Sequence, residues 1–510
     1  MSKIVIASDS DVSGLDPQKF KSDAGYAAVE NLYDGLFDLE TVPRADGTSR
    51  ATAEGLIGEL IEAHELSEEG TVLTLHVRRN ARFGDGTPCR ASSVQYTLER
   101  AIFGPGYLFP MMEMLTVTTK EQVRLLDEYT LELRLLHPNP LLWQLLPLNS
   151  FSVMSRDHAE THATADDPWA SGWYSEGALG TGPYVLGGVA RGEEYVFERN
   201  PLHWRRDGMN NESVVLRVVP SAGERLAALE QGEVDVAYGL EARDLLKCED
   251  NSRLRVLSAP STYCTVMSFN NNVSPFDDVR VRKAVCYAIP YDDLRTKVMG
   301  AYCQPLVSPI PEGMPTHDGS LWMYDTDLNQ ARHLLADAGH AGGFASQLIV
   351  RELRADEILA ARVIQRALRP LGIMLDVVTV SDLEYHSRLK EFPLAMFGTF
   401  SWVNDPMYHL VANLKGGSGK NLANYDNSRV NELIEQGMYE LDGERRQAMS
   451  VEAQRIIIDE APWALLCQPN FTVVTSSEIT GYPFYPDLIP RYRYLSREVS
   501  RADGDQTKEE

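Results

Sequence analysis

A few arrangements in this chain have residue types and spacings that could do chemistry. His158 and His162 lie four apart, the spacing that puts two imidazoles on one helix face as a metal pair requires. No third ligand accompanies them, so they read as solvated surface. Gly416-Gly-Ser-Gly-Lys420 has the glycines and lysine of a phosphate-cradling loop. Leu414 stands where the first glycine of that motif belongs and Asn421 replaces its hydroxyl residue, so the segment reads as a flexible loop. Gly180-Thr-Gly182 is followed by Pro183 and continues as a strand, which leaves no helix N-terminus to hold a dinucleotide. The adjacent acids Asp277-Asp278 and Asp292-Asp293 could serve acid–base work, but each pair flanks an apparent helix start, where negative charge complements the macrodipole. No Gly-x-Ser-x-Gly elbow, His-Glu-x-x-His or EF-hand loop occurs. The cysteines, Cys89, Cys248, Cys264, Cys286, Cys303 and Cys467, are far apart and form no Cys-x-x-Cys pair. That excludes a zinc ribbon or redox motif and predicts buried free thiols. The reading is a binding protein rather than an enzyme, with no catalytic residue, no bound metal and no cofactor.

The elements that would position a binding site alternate along the chain. Gly35 to Pro43, the run Leu73-Thr-Leu-His-Val77 and Thr130 to Leu135 read as strands, and Glu194 to Arg199 is a weaker one. Ala91 to Ala101 reads as a helix whose cap lies in Thr87 to Ser92, with Val94, Leu98 and Ala101 on one face. Further helices are predicted at Glu224 to Gln231, Val279 to Ala288, Leu328 to Ala338, Ala355 to Arg369, Asn427 to Leu441 and Glu444 to Asp459, with Gly339 and Gly372 as stops. Such alternation predicts an α/β protein with mixed sheets. The stretch Ser496 to Glu510 is polar and acidic, and reads as a disordered tail.

Composition bounds the partners. At 510 residues the chain exceeds what one core usually serves, so two or three packed units are expected. Its 73 acidic against 48 basic side chains give a formal charge of -25, which opposes nucleic-acid phosphates and anionic lipids. No stretch reaches the roughly 18 apolar residues of a membrane helix; the richest, Leu141 to Leu148, is interrupted by Gln144 and Pro147. Met1 to Ser8 has no apolar leader region, which leaves two compartments open: periplasmic or extracellular after removal of a signal, or cytosolic as the sequence stands.

A series of phrases, in order over nearly the whole chain, resembles the extracellular solute-binding protein family 5. They begin with Leu15-Asp-Pro17, Asn31-Leu-Tyr-Asp-Gly-Leu36 and Leu73 to Arg82, followed by Phe83-Gly-Asp-Gly-Thr-Pro88, the most diagnostic. Thr181-Gly-Pro-Tyr184, Glu198-Arg-Asn-Pro201 with Trp204, and Leu229-Glu-Gln-Gly-Glu-Val-Asp-Val236 follow. Next come Phe276-Asp-Asp-Val-Arg-Val-Arg-Lys-Ala284, Leu371-Gly-Ile373, Asn424-Tyr425 and Pro462-Trp463. The resemblance implies a two-lobed periplasmic-binding-protein (Venus-flytrap) fold, type II-like, with an extra domain inserted on the first lobe. Domain I would comprise 1–38, 179–258 and 469–500, domain II 39–178, the second lobe 259–468, and 501–510 the tail. Strands near Ser258 to Cys264 and Leu466 to Phe471 would form the hinge. It further implies a monomeric receptor that hands a small-molecule or peptide ligand to the transmembrane permease of an ABC importer. The leading ligand is a short peptide or peptide-like amino-acid conjugate. Opine or sugar conjugates, oligosaccharides, metal chelates and a cytosolic ligand-sensing role are the alternatives.

The same resemblance nominates ligand contacts. Trp402-Val-Asn-Asp405 keeps the family's Trp-x-x-Asp spacing, so Trp402 would stack on the ligand, with Asn404 beside it, and Asp405 would anchor a ligand ammonium. Pro406 follows at once, a departure from the family that equally suits a structural Asp-Pro turn. Lys21, Ser22 and Asp23 follow Leu15-Asp-Pro17 and would face the ligand or solvate a loop. Arg351 and Arg354 occupy the neighbourhood that pairs with a ligand carboxylate, or lie on the surface. His409 reads as a buried core residue.

Overall fold

Lys3–Ser8 (β1) has an apolar face, Ile4 and Ile6, that is wholly buried, and it hydrogen-bonds a parallel partner on each side. It is the central strand of one of two units in the computed structural model, which describes residues 3–19, 22–205, 209, 211–298, 300–352 and 354–498. The proposed tail 501–510 falls outside those residues. Unit 1 comprises Met1–Leu240, Asp244–Leu257 and Thr472–Glu510, and unit 2 Glu241–Arg243 and Ser258–Phe471. The sequence reading had placed the second lobe at 259–468.

In unit 1, helix α1 (Asp23–Leu32) follows β1, and α2 (Ala91–Phe103) lies next to a four-stranded sheet built from Ile61–Leu66, Val72–Val77, Thr130–Arg134 and Val123–Leu125. The buried face of α2 is the one its spacing predicts: Val94, Leu98 and Ala101. Its expected side-chain cap is absent. Arg90 holds the cap position without a side-chain bond, because the Thr87 hydroxyl donates to Asp85 at 2.6 Å and the Ala91 N–H finds the Glu128 carbonyl at 3.0 Å. The larger sheet places β2 (Ser213–Val218) and β3 (Val236–Tyr238) on either side of β1.

The chain leaves unit 1 along β4 (Leu254–Pro260). Unit 2 then builds its sheet from β5 (Cys264–Phe269), β6 (Ala345–Arg351), β7 (Met374–Val380) and β8 (Leu394–Thr399). The return strand is β9 (Trp463–Ser476), and the spatial order is β7-β6-β8-β5-β9. Every residue of β5 is buried, as expected of a strand flanked on both edges and covered on both faces. Strands β6, β7 and β8 run parallel, and α3 (Ala355–Leu368) makes the crossover from β6 to β7. The core between sheet and helices includes Phe276, Val281, Leu348, Ile364 and Met396. Strands β4 and β9 are hydrogen-bonded to each other.

Candidate functional site

In unit 1 the segment after Leu15-Asp-Pro17 is fixed by a buried charge. The Asp16 carboxylate receives both terminal nitrogens of Arg100 from α2, at 2.9 and 2.5 Å, and it also accepts the Gln18 N–H at 3.0 Å. Gln18 in turn donates to the Thr97 carbonyl at 2.9 Å and accepts from Arg100 at 3.1 Å. Arg100 also donates to the Ser171 hydroxyl at 3.0 Å, and an ion pair this dry is sustained by such added hydrogen bonds. Gly106 completes the packing, since a Cβ there would lie 2.7 Å from the Gln18 carbonyl oxygen. Ser22 then caps α1. Its Oγ accepts the Gly25 N–H at 3.1 Å and donates to the Asp11 carbonyl at 2.7 Å. Asp23 is exposed in the first turn, and Lys21 lies outside the described residues. One turn on, the Tyr26 hydroxyl sits 3.4 Å from that of Tyr107.

In unit 2 the parallel strands β6, β7 and β8 end at Arg351, Val380 and Thr399, and ligands of open α/β sheets bind outside such carboxyl ends. Arg351 engages Glu357 through two nitrogens, with Nε at 3.2 Å, and its guanidinium stands 5.4 Å from the Tyr385 ring. Tyr263 stands just before β5, and burial raises its phenol above the ordinary range against the opposing charges of Arg351 and Arg354. The Tyr263 ring lies over Gly398, where any Cβ would overlap it. It runs nearly parallel to Phe400 at 6.3 Å and 14°, and Phe400 meets Trp402 at 5.4 Å. A continuous path of Arg351, Tyr263, Phe400 and Trp402 therefore borders the strand ends. Beside it the buried Thr262 Oγ1, Ser401 Oγ and Asn404 Oδ1 have no hydrogen-bond partner among the described residues. Arg354 is exposed at the start of α3.

Asp405 is engaged differently from Trp402. It caps helix α4 (Pro406–Asn413) by accepting the Tyr408 N–H at 2.9 Å, and both its oxygens pair with Arg446 at 2.7 and 2.9 Å. Three of about four acceptor positions of a carboxylate are thus filled from within the fold.

A family model of bacterial extracellular solute-binding proteins, family 5 (Middle), matches residues 55–421. The chain belongs to that family. It is 24% identical to the "Probable D,D-dipeptide-binding periplasmic protein DdpA" of Escherichia coli, over 95% of this chain and 92% of that protein. Its fold superposes on the periplasmic binding protein DppA of Helicobacter pylori in complex with peptide STSA, at TM-score 0.84 and 23% identity, covering 98% of each chain. It likewise superposes on MoaA of A. tumefacien in complex with mannopinic acid, at TM-score 0.83 and 20% identity, covering 98% of this chain and 99% of that one.

Within this family-5 protein, the structure groups Arg351 and Trp402, which the sequence nominated, with Tyr263, Phe400 and Glu357, which it did not. Their signal was available: Phe400 directly follows an apolar strand, and Gly398 within that strand leaves room for a large neighbour. All six cysteines of the family-5 chain are buried and free. Burial pushes the Cys286 thiol up to about 12 and lowers the His409 ring to about 4, so both are neutral at ordinary pH. His158 and His162 stack together at 4.3 Å and lean on Trp173, which leaves His158 half-buried where a solvated pair was expected. No group of three metal-ligating side chains occurs among the described residues.

Proposed function

We propose that this chain is the substrate-binding receptor of an ABC importer, and that it captures a short peptide or a peptide-like amino-acid conjugate. The observation that carries the reading is the path from Arg351 to Trp402 at the carboxyl ends of the parallel strands. A guanidinium at one end suits a carboxylate, and the aromatic faces beyond it take a side chain with little entropy cost. Arg354 adds positive charge beside Arg351, and the unpartnered Thr262, Ser401 and Asn404 offer hydrogen bonds to a polar backbone. In this reading the protein is a non-enzymatic monomer that works in the periplasm. Domain I (1–38, 179–258, 469–500) carries domain II (39–178), and Lys21, Ser22 and Asp23 are further candidates for ligand contact.

The geometry of Asp405 supports a second reading within the same class. A ligand recognised mainly through carboxylate rather than ammonium, such as an opine, would need no acidic anchor in unit 2. Native mass spectrometry of the purified protein, before and after denaturation, separates the two. A peptide ladder supports the first reading and a single sugar-containing mass the second. Arg351→Ala should weaken either ligand at least about tenfold by calorimetry, the scale of one lost charge-assisted bond. Unchanged affinity would remove Arg351 from the site.

A further inference from the structure

A cavity of about 710 Å³ lies wholly within unit 2, among residues 290–326 and Leu466 of β9. That volume falls in the range of small-molecule pockets. Its apolar floor is Leu306 and Leu466, both almost completely buried. Its wall is an aromatic panel: Trp322 meets Tyr291 edge-on at 5.3 Å and 83°, and Tyr324 at 5.4 Å and 76°. The panel is held from behind. The Tyr291 hydroxyl donates to the Cys286 carbonyl at 3.0 Å and that of Tyr324 to the Ile458 carbonyl at 2.7 Å, so neither phenol oxygen is needed by a ligand.

The rim carries the sign. Asp292, Asp293 and Asp325 line the cavity against one guanidinium, Arg295. Arg295 is paired with Asp292 at 3.3 Å and Lys297 with Asp293 at 2.8 Å, whereas Asp325 has no ion pair among the described residues. An exposed carboxylate without a counter-charge, in a cavity lined by three aromatic side chains over an apolar floor, is complementary to one chemistry. We propose that this cavity is a second binding site, for a small organic cation with an apolar body such as an alkylated or aromatic amine. The cation would sit between the Trp322 face and Asp325, with its body on Leu306 and Leu466. The site is independent of the solute reading above, since it shares no residue with the Arg351 path.

Benzyltrimethylammonium is a suitable probe, followed by saturation-transfer NMR titration, with benzyl alcohol as the neutral comparison. Saturable binding is expected for the cation, at least about tenfold tighter than for the alcohol, the scale of one desolvated cation–π contact. It should weaken about threefold or more in Asp325→Asn, which is exposed and leaves the fold intact, and weaken further on adding salt. Trp322→Leu should lose about tenfold, with its thermal melt checked for folding. Arg351→Ala should bind the probe as the parent does. Absence of saturable binding, equal binding of the two probes, or indifference to Asp325→Asn would overturn the proposal. Loss of probe binding in Arg351→Ala would assign the signal to the strand-end site instead.

Discussion

At the scale of single residues, the proposed site depends on a position with no side chain. Gly398 lets the Tyr263 ring lie flat against β8 and continue the path from Arg351 to Phe400. In Gly398→Ala the new methyl meets the movable end of Tyr263 rather than backbone, so the ring should swing away at small cost to the fold. The expected result is a change in unfolding free energy within about 1 kcal/mol by urea denaturation, below the usual overpacking range, together with roughly tenfold weaker solute binding. Intact affinity in this variant would show that Tyr263 is not part of the solute site. Asp405 predicts the reverse split. Its carboxylate holds Arg446 and caps α4, so Asp405→Asn should lower stability by about 2–4 kcal/mol while solute affinity at full folding stays near that of the parent. Lost affinity with unchanged stability would restore the ammonium-anchor role. Neither outcome was readable from the Trp-x-x-Asp spacing, because the residue that claims the carboxylate lies 41 positions away.

At the scale of elements, α2 does more than cover a sheet. Arg100 on its buried side reaches Asp16, Gln18 and Ser171, and thereby ties the helix to the segment that leads into α1. Removing one partner leaves a buried charge, so Asp16→Ala and Arg100→Met should each cost about 3–5 kcal/mol. The double variant should cost clearly less than the sum, as a urea-denaturation cycle would show; strict additivity would mean the pair is not coupled. The spacing of Val94, Leu98 and Ala101 announced the helix and its apolar face. Its cap position, Arg90, falls within Thr87 to Ser92 as expected, but no side chain closes it, and the Thr87 hydroxyl goes to Asp85 in the Gly84-Asp-Gly86 turn, a competition that spacing does not reveal.

At the scale of the whole molecule, unit 1 is closed by its last described segment. Arg491 reaches Glu30 at 3.0 Å and Asp487 at 2.7 Å, and Arg493 reaches Asp38 at 2.6 Å and Glu59 at 3.0 Å, all buried or nearly so. Burial raises Glu30 to about 8 and Glu59 to about 7, with the arginines opposing and the neighbouring acids adding to the rise. These carboxyls hold protons in the folded state at a pH where the unfolded chain has released them. Their stabilisation is therefore full below the ordinary carboxylate range and is lost as pH climbs through 7 and 8. His203, raised by Asp34 against the opposing pull of burial, acts in the same direction above its ordinary range. Unfolding free energy should fall on the order of 3 kcal/mol between pH 5 and pH 8, and Glu30→Gln should flatten the profile. A profile that rises over this window in urea titrations would refute the assignment. The sequence by itself determined the family, the alternation of strands and helices, and the absence of nucleophile, metal-ligand and phosphate-loop patterns, because these are carried by local spacing and by phrases in order. It also nominated Arg351 and Trp402 as ligand contacts. Only the tertiary structure decided that Asp405 meets Arg446, and that Arg491 and Arg493 gather the distant acids Glu30, Asp38 and Glu59. Those pairings join residues scores or hundreds apart, and their energies depend on burial, which no local pattern records.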